Sequence, residues 1–258
     1  MNARLLPLQG VENFRDYGGY SSAAGGRMMT GQFWRSAHHA AATAEDLTAI
    51  GALSLAAVVD LRRPLERDAQ PTPRPSDFSG QVIECDLGDR AEAPHVAFLR
   101  ETDLSPGSVR DFFLDYYAKA PFEPRHPILF SRYFAALQDL QGPVLIHCTA
   151  GKDRTGLLAA FTHHVLGVHH DDAIADYLLT NEAARVEARA PMVAQALQQS
   201  LGKTPSDVAV RAFLGVEGSY IDAAFASIRA KKGSVDAYLA ELGVDAAATD
   251  RLRARYLA

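Results

Sequence analysis

Cysteine and tryptophan are scarce in this 258-residue chain: two of the first, Cys85 and Cys148, and one of the second, Trp34. So few cysteines exclude a disulfide framework, and they suit a reducing compartment in which a thiol stays reactive. No apolar run approaches the ~18 residues a membrane-crossing helix needs. The N-terminal MNARLLPLQG has one arginine and a short apolar patch broken by Pro7, too short for the core of an export signal. The expectation is a cytoplasmic protein without stable membrane insertion, signal-independent secretion being the alternative. Positive charge is not in excess either. The net charge is −5, where a nucleic-acid binder would carry a basic balance or a long basic run. The densest basic cluster, Arg251, Arg253 and Arg255, reads as the solvated face of a terminal helix.

Apolar residues make up 48% of the chain. That is enough to bury a sizeable core, and it points to one globular domain over residues 1–258. NFRDYGGYSSAAGGRMMTGQFWRS, from Asn13, reads as turns and short strands with a hairpin closing near Gly25 and Gly26. TAEDLTAIGAL begins with Thr43 as an N-cap and has acids in its first turn, so it reads as a helix. SLAAVVDLR and QVIECDL have the short apolar runs of buried strands. Residues 71–126 hold seven of the 13 prolines and read as an irregular lid or substrate loop, with one helix in SVRDFFLDYYAKA. HPILFSRYFAALQDL has helical spacing; PVLIHC is a strand; RTGLLAAFTHHVLGV is a helix ending near Gly167. The remainder is mostly helical, with breaks near 202–205, 215–218, 233 and 243. Strands alternating with helices predict an α/β fold: a central, largely parallel sheet flanked by helices, with a helical C-terminal half.

In such sheets ligands bind beyond the carboxyl ends of strands, where HCTAGKDR falls. Five residues, Thr149, Ala150, Gly151, Lys152 and Asp153, separate Cys148 from Arg154. A loop of that length can curl its N–H groups inward as an anion-binding nest. Gly151 supplies backbone freedom, and the helix that follows adds the positive end of its dipole. Arg154 can close over the rim and grip two phosphoryl oxygens. Thr149 to Arg154 are therefore the expected phosphate-binding residues. Cations and a helix end favour the thiolate of a cysteine at the floor, and a thiolate under a bound phosphate can attack phosphorus in line. Loop amides and Arg154 neutralise the equatorial oxygens, so the reading requires neither a metal nor a cofactor. Thr155 could hydrogen-bond the sulfur as it leaves. A nucleotide-binding Walker loop fails on spacing, because Ile146 stands where its first glycine belongs.

HCTAGKDRTG resembles the His-Cys-x5-Arg-Ser/Thr signature of the cysteine-dependent protein tyrosine phosphatase superfamily. NFRDYGGY, GQFWRS and VVDLR resemble the N-terminal half of bacterial members related to a secreted mycobacterial enzyme. The resemblance implies the protein tyrosine phosphatase fold and hydrolysis of phosphotyrosine, or of other phosphate monoesters, through a phosphocysteine, with Cys148 as nucleophile and Arg154 as clamp. The substrate would be a phosphorylated protein or a phospholipid headgroup, met by a monomer.

The leaving oxygen needs a proton from a nearby carboxyl group. Relatives with a Trp-Pro-Asp loop supply it there, but Trp34 is followed by Arg35. Asp153 is the first candidate, since an acid within the loop recurs in this bacterial subgroup; Asp60 is second and Asp86 third. Lys152 half-matches the paired lysines of phosphoinositide phosphatases, Thr149 standing at the other position. HHVLGVHHDD has no histidines four apart and is not read as a metal site. His147 reads as an organiser of loop hydrogen bonds, Cys85 as a small buried hydrophobe or a resolving thiol, and Asn13, Arg15 and Asp16 as fixers of turns, Arg15 being also a weaker candidate for substrate contact. Two rival readings stand: a catalytically idle phosphate-binding module, and a thiol-dependent arsenate reductase with Cys85 as the second thiol.

Overall fold

The computed structural model describes residues 4–87, 94–102 and 104–258. In chain order the elements are β1 (Arg15–Asp16), β2 (Phe33–Ser36), α1 (Ala44–Gly51), β3 (Ala57–Asp60), α2 (Pro64–Ala69), β4 (Gln81–Ile83), α3 (Pro94–Glu101), α4 (Pro106–Lys119), α5 (Arg125–Asp139), β5 (Val144–His147) and α6 (Asp153–Val165). Helices follow to the end: α7 (His170–Leu178), α8 (Thr180–Ala183), α9 (Val186–Leu201), α10 (Asp207–Leu214), α11 (Gly218–Lys232), α12 (Val235–Glu241) and α13 (Ala246–Tyr256). None among the described residues is long and apolar enough to cross a membrane.

The described strands form one sheet in the order β1-β2-β5-β3-β4, parallel except where β1 pairs with β2. The α/β architecture with a helical second half is therefore as the sequence predicts. Period-two alternation sends the residues of β3 and β5 to opposite faces. Val58 and Leu145 join Val11, Phe14, Ile50 and Leu55 in a small core under α1. Ala57, Val59, Val144 and Ile146 face the large core, which takes in α5, α6 and the C-terminal helices. VLIH is buried throughout because β5 is a central strand covered on both faces. Its carboxyl end, and that of β3, open on the same edge, with Asp60 in register with His147.

Helix α1 starts as expected: the Thr43 hydroxyl accepts from Asp46 N, and the Asp46 carboxylate accepts from Thr43 N. Ser21 pairs with Arg27 around Gly25 and Gly26, which closes the predicted hairpin. The chain end adds to it, for Arg27 and Ala258 exchange both backbone hydrogen bonds. One expectation is extended and another corrected. Within residues 71–126 the helix expected in SVRDFFLDYYAKA is α4, and α3, which the sequence reading lacks, is a second. Pro94 and Pro106 open these helices, where a missing N–H costs nothing. The terminal arginines are not simply solvated: Arg253 donates to Val165 O and Arg255 to Gln138 O and Leu140 O. They cap the carbonyl ends of α6 and α5, where a cation meets the negative end of a dipole. The histidine cluster is dispersed into separate contacts. His163 Nε2 bonds Tyr17 O, His164 pairs with Asp236, His169 caps α7 and His170 pairs with Asp222.

Several imidazoles are buried without charge. His147 stacks on His39 at 5.2 Å, and neither of its ring nitrogens has a hydrogen-bond partner among the described residues. Burial lowers His147 to about 4 against the pull of Asp60, and it lowers His126 to about 3 although Ala120 O faces its ring. Unfolded, both would titrate near 6.5. Between these limits the unfolded chain binds protons that the native state refuses, so this stability is complete above pH 6.5 and is lost as pH falls. The melting temperature should drop as pH goes from 6.5 to 4. The paired carboxylates Asp60 and Asp176, held below the usual range, add their loss only below their unfolded values near 3.8. A melting temperature unchanged across pH 6.5 to 4 would show these imidazoles already charged in the native protein.

Candidate active site

Cys148 follows β5 directly and lies at the floor of a cavity of about 410 Å3, with Thr149, Ala150, Lys152, Asp153 and Arg154 in its wall. The loop turns at Gly151, whose φ is +64°, and a Cβ there would stand 2.3 Å from Ser36 O. Only glycine meets both demands. The loop's carbonyls are tied outward. Asn13 Nδ2 donates to Ala150 O and Gly151 O, Arg35 Nη2 to Gly151 O, and His38 N to Thr149 O. The N–H groups of residues 149–152 have no partner among the described residues. Carbonyls anchored on the protein side leave the amides for the cavity, and α6 begins at Asp153 with its dipole pointing the same way.

The anchors form a buried network of their own. Arg15 donates to Asn13 Oδ1, and Asp176 accepts from Arg35 Nη1 at 2.8 Å and from Arg15 Nε at 3.4 Å. Burial and the neighbouring Arg35 lower Arg15 to about 10, with Asp176 opposing. Arg15 is thus directed into the protein, away from any substrate, and Asn13 holds the loop itself as well as a turn. Asp16 does fix turns, accepting from Gly18 N and Gly31 N.

Arg154 is held by protein groups. Its Nη1 and Nη2 donate to Glu66 Oε2 and Oε1 at 2.6 and 2.7 Å, and Nη1 also meets Leu61 O at 3.3 Å. Glu66 accepts from the Thr149 hydroxyl and, closing the first turn of α2, from Arg63 N. Burial would push the Glu66 carboxyl up, but Arg154 and these donors hold it well below the usual carboxylate range. Glu66 has no counterpart in the sequence reading. The signal available was an acid in LRRPLERDA, just beyond a strand that ends at the same edge as Cys148; a buried arginine demands such a partner.

Asp153 lines the cavity and takes a hydrogen bond from Tyr117 at 3.0 Å. Lys152 is buried. Its ammonium donates to Phe213 O at 2.6 Å, lies 4.1 Å from the Phe113 ring centre and stands 3.8 Å from Asp153 Oδ1. Thr155 is fully buried with its hydroxyl unpartnered among the described residues. Asp60 lies apart from the cavity wall: Arg62 grips both its oxygens, at 2.9 and 2.7 Å, and the residue is 1% exposed. Burial pushes Asp60 up while His147 and Arg62 hold it below the usual range, the Arg62 charge being the one present at neutral pH. Asp86 is exposed and paired with Arg67. Cys85 is buried, and it is Cys148 that borders the cavity.

A Cys-x5-Arg loop with tied carbonyls, free amides and a helix start, at the carboxyl edge of a parallel sheet, defines the class as cysteine-dependent tyrosine phosphatases. The chain belongs to the tyrosine phosphatase family, whose profile matches residues 6–258. A candidate tyrosine-protein phosphatase of Cupriavidus necator is 34% identical over 258 residues, covering 98% of this chain and 88% of its own. The triple specificity protein phosphatase PtpB of Mycobacterium tuberculosis is 29% identical over 281 residues, covering 98% of both. A tyrosine-protein phosphatase of Nostoc commune is 28% identical over 235 residues, covering 86% of this chain and 73% of its own. The protein is an enzyme of this family, a phosphatase.

Glu66→Gln would leave the guanidinium a single neutral acceptor in place of a carboxylate. Charge-assisted bonds of this kind are worth about 1.5–3 kcal/mol, so kcat/KM should fall by roughly 10- to 100-fold. Steady-state kinetics on an aryl phosphate check this; an unchanged kcat/KM would mean that Arg154 needs no such partner.

Proposed function

We propose that this phosphatase cleaves phosphate monoesters, protein phosphotyrosine foremost, through a phosphocysteine intermediate on Cys148. The observation that carries the reading is a cavity lined by both Cys148 and Arg154, with the N–H groups of residues 149–152 between them unpartnered among the described residues. A phosphoryl group seated there would accept from the amides of residues 149–153 and from Arg154. The sulfur would attack phosphorus from below and the ester oxygen would leave upward. Asp153, on the cavity wall, would protonate that oxygen and then take a proton from the water that hydrolyses the phosphocysteine. Asp60 is less suited, since both its oxygens are spent on Arg62. Thr155, at the start of α6, would donate its free hydroxyl to the departing sulfur.

Substrate preference rests on the walls. Phe112, Phe113, Tyr116 and Phe213 line the cavity and would pack against a phenyl ring. The Lys152 ammonium is already engaged, which weighs against phosphoinositides as the first choice; phosphoserine, phosphothreonine and lipid headgroups are second readings. Helices α3 and α4, within residues 71–126, would act as the substrate-contacting rim, and the protein would work as a cytoplasmic monomer of one domain. An idle binding module would have no use for an acid facing the loop. An arsenate reductase would need its second thiol at the cavity, and Cys85 is buried elsewhere in the core.

Cys148→Ser should abolish turnover of a chromogenic aryl phosphate while leaving the substrate bound; turnover above a thousandth of wild type would remove Cys148 from the nucleophile's role. Asp153→Asn should slow poor leaving groups by about 10²–10⁴-fold and good ones far less, read by comparing alkyl or phenyl phosphate with a nitrophenyl ester. Equal slowing of both would remove Asp153 from the acid's role.

A further inference from the structure

Two buried phenols stand behind Asp153. Tyr117, on α4, is fully buried, and its hydroxyl donates to Asp153 Oδ1 at 3.0 Å. Tyr177, on α7, is 1% exposed, and its hydroxyl lies 2.5 Å from that of Tyr117. A carboxylate can only accept, so the Tyr117 proton is committed to Asp153 and Tyr177 must donate to the Tyr117 oxygen. The chain of hydrogen bonds has one direction: Tyr177 to Tyr117 to Asp153.

The packing around the chain is specific. Tyr177 runs across α6 at Gly156, three residues beyond Asp153; a Cβ there would meet the Tyr177 ring at 2.7 Å. Tyr220, on α11, stacks on Tyr117 with ring centres 5.6 Å apart. Burial raises Tyr117 and Tyr177 well above 10, with the Asp153 charge adding to the effect. Both phenols are therefore protonated donors throughout the pH range in which the enzyme works.

We infer that Tyr117, backed by Tyr177, is a positioning residue that fixes which oxygen of Asp153 carries the catalytic proton. The inference rests on the proposed role of Asp153. Oδ1 faces the Tyr117 hydroxyl and the Lys152 ammonium at 3.8 Å. Oδ2 has no partner among the described residues, and the side chain borders the cavity. A proton on Oδ1 would require Tyr117 to turn its own hydrogen toward Tyr177 and would leave the Tyr177 hydrogen without an acceptor among the described residues; a proton on Oδ2 leaves Oδ1 free to accept and the chain intact. The acid is thus set with its O–H on the open oxygen and its carbonyl oxygen on the tyrosine. After the ester oxygen has taken that proton, the same bond holds the carboxylate that takes one from water, so the proton balance closes over the two steps without another group.

The charged and titratable neighbours of Asp153 are Lys152, Arg154 and Cys148 on its own loop, Tyr116 and Tyr117 on α4, His95 on α3, Tyr177 on α7 and Tyr220 on α11. Of these only Tyr117 makes a hydrogen bond to the carboxylate. Its removal takes away that hydrogen-bond donor, and the pH dependence of turnover reads the loss.

The experiment compares wild type, Tyr117→Phe, Tyr177→Phe, Asp153→Asn and the double variant Tyr117→Phe/Asp153→Asn on phenyl phosphate and nitrophenyl phosphate from pH 4.5 to 8.5. Melting temperatures identify folded protein. Tyr117→Phe should lower kcat/KM for phenyl phosphate about 10-fold with little effect on the nitrophenyl ester. It should also move the basic limb of the phenyl phosphate profile upward by about half a pH unit or more. Tyr177→Phe, which keeps the direct bond, should shift the limb in the same sense by less. In the double variant the Tyr117 change should add nothing to the loss from Asp153→Asn. A Tyr117→Phe profile with an unmoved limb and equal losses on both esters would overturn the inference while leaving Asp153 as the acid. Absence of a leaving-group effect in Asp153→Asn alone would overturn both readings. If Tyr117→Phe does not fold, Tyr177→Phe decides: an unmoved limb there counts against the chain of donors.

Discussion

A loop whose amides face a cavity has to be held in that shape by the protein behind it. Here that constraint is met from the back, because the carbonyls of Thr149, Ala150 and Gly151 are held by His38, Asn13 and Arg35. A peptide unit whose oxygen is fixed on one side presents its N–H to the other. The anchors are themselves held by Arg15 and Asp176, deep in protein, where an unpaired charge would be costly. Much of the buried polar content of the N-terminal segment thus serves the shape of seven residues far along the chain.

The same logic governs Arg154. A guanidinium on a long side chain at the rim of a pocket could take many positions, each of which costs entropy to surrender. Glu66 removes that freedom with a two-pronged ion pair, and the capping geometry of α2 fixes Glu66. The energy of ordering is thus met in folding and not at binding. The Glu66 carboxylate also sets negative charge against Arg154, as Asp153 does against Lys152.

Asp153 completes the pocket from the opposite wall. Tyr117, Phe113, Tyr220 and Tyr177 fill the space behind it with rings, so the carboxyl group sits between an apolar aromatic layer and the open cavity. Helix α4, from the segment whose prolines suggested irregular chain, supplies both part of that layer and the cavity's aromatic wall.

The sequence by itself determined the Cys-x5-Arg loop and its place after a buried strand, the alternation of strand and helix, and the caps and glycine breaks that end the helices. These rest on local chemistry: Cys-x5-Arg spacing, an apolar run before it, Thr43 before acids, and glycine where φ is positive. Tertiary structure alone decided that Asp60 belongs to Arg62, that Glu66 belongs to Arg154, that Asn13 and Arg35 hold the loop, and that the terminal arginines cap α5 and α6. Each is a pairing between residues brought together only by the sheet order or by helix packing. The spacing of residues along a chain does not encode which buried charge will meet which; the closed packing around β5 does.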